Sequence, residues 1–152
     1  MKMSRERKED ALEYCHPLKE GEDHLIEPEK LTEEELDEIA ETFTSKEMCD
    51  RVCREVFIKN RWALHKTIEW SKSDKVYLKR AAFMIMAGLA EENRELKNSL
   101  FKVFIPILER EKSDERAEIT EAIDLARDAI KARHERLRKK VEEMESPKSG
   151  DS

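Results

Sequence analysis

Ten consecutive uncharged residues, AAFMIMAGLA at 81–90, constrain this chain more than any other feature, because a helix built from them is apolar on every side. Such a helix must be covered from several directions, so the segment belongs at the centre of a helical core. The run is too short to cross a bilayer, which takes about 20 residues in a helix, and no other stretch comes close to that length. Around it lie Glu, Lys, Arg, Leu and Ala in quantity, with only three glycines and four prolines in 152 residues. Those residue types lose little side-chain freedom in a helical turn, and few breakers interrupt them. No strand pattern accompanies them. The expected fold is therefore all-α, in a chain long enough for one domain with a real core.

Local signals divide the chain. Residues 4–15 predict a polar first helix, and 16–30, with Gly21, Pro17 and Pro28, an irregular segment. Thr32 with Glu35 reads as a capping box opening a helix over 31–42, and Thr44 with Glu47 repeats it for a helix to about Ile58. In that second helix Cys49, Val52, Cys53, Val56 and Phe57 form one apolar stripe. Further helices are expected at 61–70, at 73–92 capped by Ser73, and at 94–111 with a kink at Pro106. A long last helix is expected over 114–145, capped by Ser113, with Ile123, Ile130, Leu137 and Met144 seven apart and its charged second half projecting from the body. That spacing also admits a helical dimer, although Arg133 and His134 interrupt the seam and leave the oligomeric state open. The tail 146–152 reads as disordered. Antiparallel pairs joined by short loops point to a stacked, HEAT-like layout over 31–145.

Chemistry-bearing residues are few. Three cysteines make an odd number, and Cys49 and Cys53 lack two further ligands at zinc spacing, so no metal or other cofactor is expected. The charged start MKMSRERKED has no apolar stretch after it, which makes the reducing cytoplasm the expected compartment. Trp62 and Trp70, near Leu64 and Ile68, read as core residues. Charge is uneven within a net of −6. Residues 1–50 hold 7 basic and 17 acidic side chains, residues 51–80 hold 9 and 3, and residues 131–140 hold 6 and 1. A basic stretch is either a phosphate-contacting face or a solvated helix side, and charge alone leaves both open.

Three blocks carry a resemblance: LTEEELDEIAETFTSKEMCDRVC at 31–53, IEWSKSDKVYLKRAAFMIMAGLA at 68–90, and FIPILEREKSDERAEITEAIDLA at 104–126. In this order and spacing, the stretch 31–130 resembles the AlkD-type DNA alkylation repair family, while residues 1–30 contribute nothing to it. The resemblance implies a HEAT-like or ARM-type right-handed α-superhelix that binds duplex DNA on a concave face. It also implies removal of cationic alkylated purines such as 3-methyladenine and 7-methylguanine, with an aspartate stabilising positive charge on the deoxyribose. One carboxylate supplies useful help there, because an already cationic base leaves without much acid catalysis.

Carried over residue by residue, the family's aspartate falls on Asp50 in KEMCD, and Lys46 stands where the family has a tryptophan. Tyr77 keeps an aromatic in YLKRA, and Arg80 matches a basic residue that contacts the DNA backbone. The second cleft tryptophan falls on Leu125. An ammonium at Lys46 repels the positive charge that a tryptophan face would cradle, so both replacements count against catalysis. The candidate catalytic residue is thus Asp50, and the candidate DNA contacts are Lys46, Arg51, Arg54, Tyr77, Lys79 and Arg80. Arg80 reads equally as a structural partner of Asp50. Three functions stay open: an alkylpurine glycosylase, a DNA-binding relative without catalysis, and a helical-repeat module that binds a protein partner.

Overall fold

The computed structural model describes residues 27–145, which form seven α helices and no strand. The expected helix at 4–15, most of the irregular segment and the tail lie outside the described residues. The helices are α1 (Glu33–Ala40), α2 (Lys46–Glu55), α3 (Ala63–Trp70), α4 (Val76–Glu92), α5 (Phe104–Glu111), α6 (Ala117–Arg133) and α7 (Glu135–Glu145). Short 3-10 turns occupy Pro28–Lys30, Phe57–Lys59 and Asn98–Val103. No described helix is long and apolar enough to cross a membrane.

The helix starts show which polar residue reaches each free backbone N–H. At α1 the capping box forms as expected: Thr32 Oγ1 accepts from the Glu35 N–H at 3.1 Å, and Glu35 Oε1 accepts from the Thr32 N–H at 2.9 Å. At α2 the cap is Ser45 rather than Thr44, its hydroxyl accepting from the Met48 N–H at 3.1 Å. Ser73 accepts from the Lys75 N–H and so shapes the turn before α4 without capping it. Ser113 does not cap α6 either, and Asp114 accepts from the Arg116 N–H at 3.0 Å instead.

α4 is the centre of the molecule. Every residue from Lys79 to Ala90 is buried, as the uncharged run requires. α2, α3 and α6 all pack on it. Cys49 Sγ donates to the Tyr77 carbonyl at 3.4 Å and Cys53 Sγ to the Ala81 carbonyl at 3.7 Å. Those contacts advance by four residues on both helices, so α2 and α4 run parallel. α6 runs parallel to α4 as well, since Arg80 meets Glu118 near one end and Arg133 meets Ala90 near the other. A parallel α2–α4–α6 layer, with α3 and α5 intervening in sequence, is compatible with stacked helix pairs. On the α3 side Phe57 packs between Phe43 and Trp70, with ring centroids 6.0 and 5.5 Å away. Burying each such ring contributes about 2 kcal/mol. Trp70 is core as expected, whereas Trp62 is only partly buried. Gly88 marks the closest approach of the Phe57–Lys59 turn, because a Cβ there would lie 2.8 Å from Ile58 Cγ2.

Two expectations fail in the last third. Pro106 kinks nothing, because the helix starts at Phe104 and places Pro106 in its first turn, where the missing N–H has no helical acceptor to lose. The final helix is not continuous either. His134 is extended (φ −160°, ψ 144°), and its Nδ1 accepts from the Arg136 N–H at 3.1 Å. α7 then turns back: Leu137 and Val141 are buried, and Glu145 reaches Arg127 at 3.0 Å and Lys131 at 3.1 Å. The apolar seam read as a projecting helix or a dimer contact is therefore used largely inside the chain.

Candidate functional site

Asp50, Arg80 and Glu121 are each the fifth residue of their helix, in α2, α4 and α6. Because these helices run parallel and in register, three equivalent positions with alternating charge meet side by side. Arg80 Nε donates to Asp50 Oδ1 at 2.8 Å and Nη2 to Oδ2 at 2.7 Å, a two-bond fork that fixes the carboxylate plane. Arg80 Nη1 donates to Glu121 Oε1 and to the Glu118 carbonyl, both at 2.8 Å. Lys46 Nζ lies 3.4 Å from the same Glu121 oxygen.

Exposure separates the members of this cluster. Arg80 is 1% exposed, whereas the Asp50 side chain keeps 31% of its surface and Glu121 48%. Burial works against the Arg80 charge, but hydrogen bonds to Asp50 and Glu121 outweigh it and push its pKa up. The same contact with Arg80, against some burial and with help from Lys46, lowers the Glu121 carboxyl. Beside the cluster opens a groove of about 540 Å³ lined by Lys46, Glu118, Thr120, Glu121 and Asp124. Its wall is acidic. The arrangement offers an oriented, partly open carboxylate next to negative charge, which suits a cation better than a phosphate.

The other sequence-derived residues are distributed around this centre. Lys46 stands on the groove, and Tyr77 is partly buried, one turn before Ala81 on α4. Arg51 is half-buried on α2. Arg54 forms exposed pairs with Glu91 at 2.7 Å and Glu92 at 2.9 Å. Lys79 is 6% exposed and pairs with Glu111 at 2.7 Å and Asp114 at 2.9 Å. Leu125, the position of the family's second tryptophan, is 42% exposed, one turn beyond Glu121.

Two further groupings were not legible beforehand. Lys66, 1% exposed, is held by Glu33 and Glu69 at 3.0 Å and by Asp37 at 2.8 Å. His65 joins Glu33 and Glu69 to bring three ligand atoms within 4.8 Å of one another, and the Lys66 ammonium pairs with both of those carboxylates. Glu121 and the Glu118 carbonyl are the site partners that sequence reasoning missed. The available signal was register: aligning KEMCD, VYLKR and AEITE by their helix starts puts an ionisable residue fifth in each.

A sequence model of a family described as DNA alkylation repair enzyme matches residues 4–145, reaching beyond the 31–130 stretch at both ends. No curated protein and no solved structure matches the chain.

Proposed function

The chain belongs to the DNA alkylation repair enzyme family, and on that premise we propose that it binds duplex DNA and presents Asp50 to cationic alkylated purine nucleotides. The observation that carries this reading is the Asp50–Arg80 fork beside the acidic groove. Arg80 spends four of its five N–H donors on protein oxygens, so it acts as a positioning residue for Asp50 rather than as a phosphate contact. Oriented negative charge beside the deoxyribose stabilises the cation that grows as the base departs, without reorganisation at that moment. The helices of 31–145 would form the HEAT-like superhelix that holds the duplex, working in the cytoplasm, where Cys49 and Cys53 stay reduced.

Base release from duplex carrying 3-methyladenine or 7-methylguanine tests this directly. Wild type should release base, and Asp50→Asn should slow release about 100-fold, the usual order for losing one stabilising group at a charged transition state. If neither protein releases base, the excision part of the reading fails. A preference for alkylated over undamaged duplex, abolished in Asp50→Asn, would then confine Asp50 to lesion binding.

A second reading, a protein-interaction module that keeps only the fold, draws support from the cations of 51–80. Arg54, Lys66, Lys75, Lys79 and Arg80 all pair with acids of this chain, which takes them away from phosphate. Under that reading duplex DNA would not bind at any salt concentration.

A further inference from the structure

We propose that Glu33, His65 and Glu69 form a binding site for a divalent transition-metal ion of the zinc kind, which clips α1 to α3. His65 and Glu69 stand four residues apart on α3, so successive turns carry both on one side of the helix. Glu33 is the first residue of α1 and meets them from the other helix. His65 Nε2 lies 3.3 Å from Glu33 Oε2 and 3.7 Å from Glu69 Oε1, and all three ligand atoms fall within 4.8 Å of one another. In a tetrahedral zinc site with bonds of about 2.1 Å, neighbouring ligand atoms stand about 3.4 Å apart. The two separations from the imidazole already suit that geometry, and rotation of the partly exposed carboxylates closes the third. An imidazole among the ligands favours zinc-like ions over magnesium and calcium, which take oxygen ligands.

Charge supports the same reading. Glu33, Asp37 and Glu69 gather around the buried Lys66, whose ammonium lies 2.8 to 3.0 Å from all three. With His65 uncharged, as ligation requires, three carboxylates less one ammonium leave two negative charges, which a divalent ion matches. Asp37 offers Lys66 both of its oxygens, at 2.8 and 3.0 Å, and is not among the proposed ligands. A carboxylate oxygen has more than one lone pair, so Glu33 Oε2 and Glu69 Oε1 can face the ammonium and a metal together. The ammonium still opposes a second cation, so affinity is modest and occupancy follows the metal supply. His65 and Glu69 keep 58% and 50% of their side-chain surface, which lets the ion enter from solvent and retain water as its fourth ligand. Neither reading of the Asp50 site bears on this one.

The test is calorimetric titration of the full chain with zinc chloride and, separately, with magnesium chloride near neutral pH. Wild type should bind zinc and not magnesium. His65→Gln and Glu69→Gln should each weaken zinc binding at least about tenfold, the lower end for losing even a group that only supports a metal ligand. Both side chains are largely exposed, so the variants should fold, and thermal melting checks that they do. His134→Gln, at the junction of α6 and α7, should bind zinc as wild type does. Zinc should also raise the melting temperature of wild type but not of His65→Gln, because an ion that binds only the folded chain stabilises it. No zinc binding by wild type would overturn the proposal. Wild-type affinity in either glutamine variant would overturn it too, by moving the ion to another site. Equal affinity for magnesium would do the same, by reducing the cluster to diffuse acidic attraction.

Discussion

Residues 51–80 and 131–140 carry similar excess charge, +6 and +5, and the fold neutralises more of the first, although Lys59, Arg61 and Lys72 stay exposed there without an ion pair among the described residues. In the first stretch, acids from α1, α2, α5, α6 and the end of α4 arrive at the cations. Arg80, Lys79 and Lys66 become buried centres, while Arg54 and Lys75 become exposed pairs. In the second stretch, among the described residues, only Lys131 finds an acid, Glu145, and Arg133 is taken by carbonyls. Arg136, Arg138, Lys139 and Lys140 stay open among the described residues. A basic run in sequence is thus a reservoir of charge, and its field depends on what the other helices bring to it.

The largest expected effect comes from emptying the most buried cation. Arg80→Met leaves Asp50, Glu121 and the Glu118 carbonyl facing one another, and should cost about 3 kcal/mol in urea unfolding, the low end for breaking a buried pair because both acids are partly exposed. A cost under about 1 kcal/mol would mean that the three-helix junction is not held by charge. Next, Arg133→Met strands the carbonyls of Leu89, Ala90, Asn93 and Leu96. It should cost about 2 kcal/mol, with faster amide hydrogen exchange in 93–98 as its signature. Unchanged exchange there would remove Arg133 as the organiser of that end.

Acid titration sharpens the contrast further. Arg116, against some burial and aided by Lys79, holds the Asp114 carboxyl far below its usual range. Burial raises the Glu111 carboxyl, but Lys79 and Arg110 outweigh it and leave it lowered. A depressed folded pKa stabilises the fold above the unfolded value and loses that contribution as pH falls through the folded one. Stability should therefore decline from about pH 5 toward about pH 2, and Lys79→Met should make the decline shallower. An unchanged acid slope would show that the Lys79 pairs contribute nothing. The smallest effect is expected at an exposed pair: Arg54→Gln should cost less than about 1 kcal/mol and leave the salt slope of duplex binding as in wild type. A reduced slope would make the 51–80 stretch a phosphate-contacting surface.

Much of the architecture was legible because it depends on local period and composition. The uncharged run at 81–90 announced α4, the Thr32–Glu35 box fixed the start of α1, and the cysteine stripe gave the buried side of α2. The misreadings share one cause. Nothing local at His134 stops a helix, since neither glycine nor proline stands there. The break follows from what α7 gains by turning back, namely burial of Leu137 and Val141 and the Glu145 pairs. Pro106 was read as a kink only because the helix was drawn too early. At the site, Asp50 and Arg80 could be named from their motif, but Glu121 and the Glu118 carbonyl lie 38 to 41 residues from Arg80 and meet it only through the register of parallel helices.

By itself the sequence determined an all-helical chain, its central helix and its family, and offered Asp50 and Arg80 as candidates, because helix period, capping and motif are properties of neighbours along the chain. Tertiary structure alone decided which cations are spent and which are free. An ammonium or guanidinium is neutralised by whichever carboxylate lies within a few ångströms, and that distance is set by how helices far apart in sequence stack against α4.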